Sequence, residues 1–344
     1  MVLPIDSKLS LSGFVDSRQG GRTENQDSAG AKETPLGTLV VVCDGMGGMQ
    51  GGSTASQMAV KAILDFMMQA DSQSNPTMTL IKAIRNANMA IWQESQNNPD
   101  LHGMGTTVTA ILFSTKSAIA AYVGDSRIYQ LRKGKKVFRS FDHSMVFEMV
   151  KKKVITEEQA RLSAQSNIIM KALGIMADVE VDTFELPYCK GDRFVLCSDG
   201  FWGAMPESEF LAMLCKDNSI DRILESTANA VDAIGRKKGG DYDNLTAAII
   251  EMNQNSKLKP KMTKFAKILL AILSALLIVS ICFNIYLGMN NHSQQEVNNH
   301  FPSDSIQNTT PGRSVSQDNN ATDEKGTESD KQGSDTLKNR IKNE

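Results

Sequence analysis

The apolar positions of this chain follow two periods over residues 10–252 and then give way to one unbroken apolar run. Apolar runs rich in β-branched residues at 38–43, 106–113, 117–123, 193–197 and 245–250 predict strands. A run such as Leu39-Val40-Val41-Val42-Cys43, apolar at every position, predicts a strand covered on both faces. Stretches with a period near 3.6 at 53–68, 77–95, 207–215 and 220–234 predict helices, with Pro76 and Pro206 suited to the start of the second and third. Phe113-Ser114-Thr115-Lys116-Ser117 reads as a turn between strands, and Leu131-Arg132-Lys133-Gly134-Lys135-Lys136 as another. Strands joined by hairpins, with helices outside them, predict an α+β fold of two packed, mainly antiparallel sheets rather than the alternating units of a parallel sheet. The segment 142–178 stands apart, with short helical patches at 144–153 and 157–162, then 167–173 leading into Gly174.

The unbroken run, 268–289, carries no charge and is interrupted only by Ser274, Ser280, Asn284 and Gly288. A soluble helix would show a polar face; this one has none, and roughly twenty apolar residues suffice to cross a bilayer. Lys257, Lys259, Lys261, Lys264 and Lys267 precede the run and no Lys or Arg follows until Arg313, so the positive-inside rule keeps the N-terminal part in the cytoplasm. The expectation is a single-pass cell-membrane protein with a basic linker at 254–267, a transmembrane helix at 268–289 and an extracytoplasmic tail at 290–344. That tail has too few large apolar residues to offset the entropy of ordering and is expected to be disordered. Met1-Val2-Leu3-Pro4-Ile5-Asp6 has neither the basic start nor the apolar core of a signal peptide, which leaves the span as the anchor. Five scattered cysteines, at 43, 189, 197, 215 and 282, agree with a reducing compartment. A formal net charge of -2 makes no whole-chain case for nucleic acid.

Four aspartates sit in short polar or glycine-containing turns: Asp27 in Asn25-Gln26-Asp27, Asp44 in Asp44-Gly45-Met46-Gly47-Gly48, Asp199 in Ser198-Asp199-Gly200, and Asp243 in Asp243-Asn244. An aspartate beside a glycine is ordinarily a turn residue satisfied locally. Here, however, strand-like runs precede Asp44 and Asp199, and strand ends converge where a sheet ends. Carboxylates gathered there repel one another unless cations lie between them, and an all-oxygen donor set suits hard ions such as Mg²⁺ or Mn²⁺. The pattern predicts a binuclear hydrolase site.

These turns belong to an ordered series: Arg22-Thr23-Glu24-Asn25-Gln26-Asp27, Asp44-Gly45-Met46-Gly47-Gly48, Gly103-Met104-Gly105-Thr106-Thr107, Gly124-Asp125-Ser126-Arg127, Asp142-His143-Ser144, Lys171-Ala172-Leu173-Gly174, Ser198-Asp199-Gly200 and Asp243-Asn244-Leu245-Thr246. The series resembles the metal-dependent PPM family of serine/threonine protein phosphatases, the type 2C group, in its bacterial form. The resemblance implies an αββα sandwich over a domain at 1–253, with 142–178 as a flap beside the metal cleft. It implies hydrolysis of phosphoserine and phosphothreonine in proteins by a water activated between two Mn²⁺ or Mg²⁺ ions. Asp44 would bridge the ions, the Gly45 carbonyl would join it on the second, and Asp199 and Asp243 would complete the first. Asp27 resembles the acid that holds a metal-bound water. Asp125 resembles a ligand of a third, weaker ion, with Asp199 shared, although its motif also reads as an ordinary turn before a strand. Arg22 is the candidate phosphate clamp, since a planar guanidinium grips two phosphoryl oxygens.

Three positions depart from the family pattern. Met46 stands where animal relatives carry a histidine, Gln26 where they carry a glutamate, and Lys171 where an arginine is common. His102 and His143 read as structural. The partners implied are phosphorylated Ser/Thr proteins and a cognate Ser/Thr kinase. The alternative is a catalytically weak or inactive binding module on the same fold; retention of all four acids argues for the enzyme.

Overall fold

The run at 38–43 becomes the middle of a strand whose two faces belong to two different cores. The computed structural model describes residues 2–163, 165, 168–259 and 264–298, with the backbone alone at 49–50, 264–267, 270 and 288–298. Strands β1 (Leu3–Pro4), β2 (Leu11–Arg18), β3 (Asp27–Thr34) and β4 (Gly37–Met46) lead into helices α1 (Gly48–Met68) and α2 (Pro76–Asn97). Then come β5 (Gly105–Thr106), β6 (Val108–Phe113), β7 (Ala118–Val123), β8 (Arg127–Arg132) and β9 (Lys135–Arg139), followed by α3 (Met145–Lys151) and α4 (Glu157–Arg161). The remainder is β10 (Asp182–Leu186), β11 (Arg193–Cys197), α5 (Asp199–Trp202), α6 (Glu207–Leu214), α7 (Ile220–Lys237), β12 (Leu245–Met252) and α8 (Lys264–Asn298).

One sheet runs β1-β2-β12-β11-β8-β9 and the other β10-β7-β6-β4-β3, with β5 paired to β4. Every pairing is antiparallel. In β4, Leu39, Val41 and Cys43 pack with Ile63 of α1 and Ile84 of α2, whereas Val40 and Val42 pack with Phe194 and Leu196 of β11 between the sheets. In β12 and β11 the alternation repeats: Ile249 and Val195 meet Leu224 and Val231 of α7, and Ala248 and Ile250 join the inter-sheet core. The layers are therefore helix, sheet, sheet, helix. Each fully buried large apolar side chain contributes roughly 1.5–3 kcal/mol relative to exposure, so strands covered on both faces carry much of the stability.

Several elements depart from expectation. Helix α1 begins at Gly48 rather than at residue 53, placing its first turn beside the acids. Strands β2, β3 and β10 lack a clear apolar run, β3 being Asp-Ser-Ala-Gly-Ala-Lys-Glu-Thr, and form because neighbouring strands supply their ladders. Asp44 lies inside β4 rather than in a turn, and Asp199 opens α5. The helical patches of 142–178 become α3 and α4, while Ile169 and Leu173 form isolated bridges to Ser144 and Thr106.

The first compact unit extends past residue 253, to Thr263. The amides of Lys257 and Leu258 donate to the carbonyls of Thr115 and Lys116, each at 2.9 Å, and the Ser256 amide to Tyr188 at 2.9 Å. The second unit contains α8, whose described apolar side chains, from Ile268 to Leu287, are exposed all round the helix. Among the described residues no helix is long and apolar enough to cross a membrane. The expected span at 268–289 includes Leu270, Gly288 and Met289, whose side chains lie outside the described residues. The backbone is helical to Asn298, past the expected start of the tail, and 299–344 lies outside the described residues.

Candidate metal centre

Two neighbouring strands bring the first acids together: the β3–β4 register sets Asp27 opposite Asp44. The backbone around Asp44 is tightly held. Its amide donates to Thr107 Oγ1 at 3.0 Å, and its carbonyl accepts from Thr106 Oγ1 at 2.8 Å and from the Thr107 amide at 2.8 Å. A Cβ on Gly45 would stand 2.0 Å from the Gly52 carbonyl, so only glycine lets the strand pass this close to the start of α1.

The other acids arrive from the second sheet. Asp199 follows β11, and the first turn of α5 presses against 243–244, where a Cβ on Gly200 would lie 2.2 Å from the Asn244 carbonyl. Ser198 links the halves: its hydroxyl donates to Asp27 Oδ2 at 2.8 Å and accepts from the Thr246 amide at 3.1 Å. Asn244 is the fastener of the Arg22 loop. Its Oδ1 accepts from the Gln26 amide at 2.8 Å, and its Nδ2 donates to the carbonyls of Gln19 and Glu24 at 2.7 and 2.9 Å. Arg22 reaches across to Asp243, with Nε at 3.2 Å and Nη2 at 3.3 Å.

Arg22, Asp44, Gly45, Met46, Asp199 and Asp243 line one cleft of about 530 Å³ together with Gln26, Asn244 and Ile169. Asp27 is buried and does not line the cleft; it stands opposite Asp44 in the β3–β4 ladder. Asp125 does not line this cleft; it lines an adjoining cavity of about 210 Å³ that shares Asp199 and Asp243. Of the motif residues without a catalytic role in sequence, His143 is tied down structurally. Its Nδ1 accepts from the Gly124 amide at 3.1 Å and its Nε2 lies 3.1 Å from Asp182. Lys171 pairs with Glu180 at 2.6 Å.

Burial and crowding raise Asp27, Asp44, Asp125 and Asp199 together. Asp27 is pushed up to about 7, chiefly by burial, against the hydrogen bonds it accepts from Ser198 and Thr246. Asp199 is pushed up to about 6 by burial and then by Asp243. Asp44 stands well above the usual carboxylate range through burial and the charges of Asp27, Asp199, Asp125 and Asp243. Asp125 is raised likewise by burial and Asp199, and its Oδ1 is buried without a hydrogen-bond partner among the described residues.

Among the described residues no three His, Cys, Asp or Glu side chains stand ready-made around one point. The oxygen donors lining the cleft include the carboxylates of Asp44, Asp199 and Asp243. Mutually repelling acids, buried at Asp27 and Asp125 and half-buried at Asp44, Asp199 and Asp243, with an orphaned carboxylate oxygen on Asp125, suit hard divalent cations. Thr107, Ser198 and Asn244 are the functional supports that sequence reasoning passed over. All three lie inside quoted motifs, which was the only signal available.

A model of the protein phosphatase 2C family matches residues 16–238. The serine/threonine phosphatase stp of Listeria innocua serovar 6a is 34% identical over 248 residues, covering 71% of this chain and 96% of the relative. PstP, a serine/threonine protein phosphatase of Mycobacterium tuberculosis, is 34% identical over 234 residues, covering 67% of this chain and 43% of the relative. The crystal structure of PstP/Ppp from that organism aligns at a TM-score of 0.61 with 31% identity, over 72% of this chain and 100% of that one. The catalytic domain of PstP in complex with 2 manganese ions aligns at 0.58 with 30% identity, over 70% of this chain and 97% of that one.

Proposed function

We propose how this chain, which belongs to the protein phosphatase 2C family and is a serine/threonine protein phosphatase, assembles its reaction from the cleft just described. The carrying observation is that Arg22, Asp44, Asp199 and Asp243 converge on one cleft, with Asp27 buried opposite Asp44 in the ladder. Asp44, the Gly45 carbonyl, Asp199 and Asp243 would hold two Mn²⁺ or Mg²⁺ ions, and Asp125, sharing Asp199, a third. When bound, such ions supply Lewis acidity and a water deprotonated near neutral pH as the attacking nucleophile.

The chain's own residues orient everything else. The Arg22 side chain, about half exposed, lines the cleft with Nε and Nη2 held by Asp243, and its guanidinium would turn to grip two phosphoryl oxygens of a phosphoserine or phosphothreonine side chain. Asn244 holds the loop that carries Arg22, and Ser198 holds Asp27 against the second sheet. The Met46 thioether cannot deliver a proton, so the leaving oxygen takes one from solvent. The test is hydrolysis of a phosphothreonine peptide after chelation and after Mn²⁺ addition, with Asp44→Ala and Asp199→Ala in parallel. Turnover should require the metal and vanish in both variants while their circular dichroism stays native. Full activity in the presence of chelator would overturn the reading.

The chain is further read as anchored to the cytoplasmic face of the cell membrane by 268–289. Support comes from the uncharged run, the five lysines before it, and an α8 whose described side chains present no polar face. Its substrates would be phosphorylated Ser/Thr proteins, with a cognate kinase supplying them.

A further inference from the structure

One tryptophan and the arginine on its ring join three parts of the molecule around the acids. Trp202 closes the short helix α5, which opens at Asp199. Its indole Nε1 donates to the backbone carbonyl of Asp125 at 3.2 Å. Its ring lies under the Arg127 guanidinium, whose Cζ is 3.3 Å from the ring centroid. Arg127 is buried and is itself fixed by Asp142, with Nε at 2.9 Å from Oδ1 and Nη2 at 2.7 Å from Oδ2, and by Tyr129 at 3.1 Å. The same guanidinium stands 4.8 Å from the Phe147 ring at the base of the 142–178 segment.

The consequence is geometric. Asp125 and Asp199 come from different connections, one following β7 and the other following β11. The indole hydrogen bond ties the two stretches, and a desolvated cation against the ring fixes the indole's orientation. Groups that orient ligands in this way commonly change metal affinity or activity by about 10–100-fold when removed. Asp125 Oδ1 has no partner to hold it otherwise among the described residues, so its direction depends on where the backbone is pinned.

We propose that Trp202 is a positioning residue that sets the spacing between Asp125 and Asp199 through its hydrogen bond to the Asp125 carbonyl, with Arg127 as the clamp on its ring. This rests on the reading of Asp125 and Asp199 as ligands of divalent cations. The test uses the full chain in detergent and counts bound Mn²⁺ from the loss of the free-ion electron paramagnetic resonance signal. Trp202→Phe keeps an aromatic ring for Arg127 and removes only the N–H; Trp202→Tyr fills more of the indole volume and also lacks that N–H. Thermal unfolding checks that each is folded.

Either variant should retain the tightest Mn²⁺ binding and weaken the last ion by about tenfold. Asp125→Ala should weaken the same ion, and the double substitution should weaken it no further, because both act through one carboxylate. A wild-type isotherm in a folded Trp202 variant overturns the proposal, as do losses that multiply in the double variant. A wild-type chain that binds no Mn²⁺ overturns the metal reading itself and the proposal with it.

Discussion

At the scale of single residues, the cleft balances acids that repel one another against one reaching arginine. Arg22→Ala should raise KM for a phosphopeptide and lower kcat/KM by about ten- to a hundredfold, the loss expected for a charge-assisted contact of roughly 1.5–3 kcal/mol. Steady-state kinetics on a phosphothreonine peptide decide it; an unchanged KM removes Arg22 from the site. The acids also predict a pH dependence. Asp27 at about 7 and Asp199 at about 6 lie above their unfolded values, so the folded chain binds more protons than the unfolded one between about pH 4 and 7. Their contribution to metal-free stability is complete below pH 4 and is lost as pH rises through 6 and 7. Cations bind the deprotonated form. The increase in Tm produced by Mn²⁺, measured against a chelated control, should therefore be larger at pH 8 than at pH 5. An increment that shrinks with rising pH would contradict this account.

At the scale of elements, the return of the 142–178 segment depends on one buried amide in α2. Asn88 Nδ2 donates to the carbonyls of Met176 and Ala177 at 2.9 and 3.1 Å, and its Oδ1 accepts from the Gly174 amide at 2.8 Å. Replacing it with leucine strands those three backbone groups in a site that is 1% exposed. Asn88→Leu should cost about 2–4 kcal/mol in chemical denaturation, more than a typical surface change, because the partners are left unsatisfied. A loss below about 0.5 kcal/mol would mean that water replaces the amide. Helices α1, α2, α6 and α7, and the patches that become α3 and α4, were legible in the sequence because their apolar period is local. The polar strand β3 was not: its direction and register come from β4 alone.

At the scale of the whole molecule, the boundary of the first unit has a practical consequence. Since Ser256, Lys257 and Leu258 are hydrogen-bonded back onto 115–116 and Tyr188, a chain ending after Lys259 should be soluble, fold cooperatively and hydrolyse small phosphopeptides at the rate of the full chain. A chain ending at Asn253 should have a lower Tm, since it leaves the Thr115, Lys116 and Tyr188 groups exposed. In cells, the shorter protein should leave the membrane fraction and lose activity toward membrane-associated substrates, because anchoring raises effective concentration without any new contact. Protease added to spheroplasts should trim the full chain beyond Asn290 and spare residues 1–250; digestion of that region from outside would refute the topology.

The sequence alone determined the layered α+β arrangement and singled out the acids as candidates, because apolar period and short motifs are local properties that survive without a partner. Val40 and Val41 announce a strand covered on both faces wherever that strand ends up. Tertiary structure alone decided which groups meet. Asp27 stands opposite Asp44 through a ladder register, Ser198 bonds Asp27 across the two sheets, and Asn244 ties down a loop more than two hundred positions away. Asp125 fell outside the main cleft for the same reason: its motif specifies a turn, while the cavity it faces is made by α5 and α7 packing against it. Short polar side chains such as Ser198 and Asn244 carry no signature of their own, since their roles come entirely from what folding sets within hydrogen-bond reach.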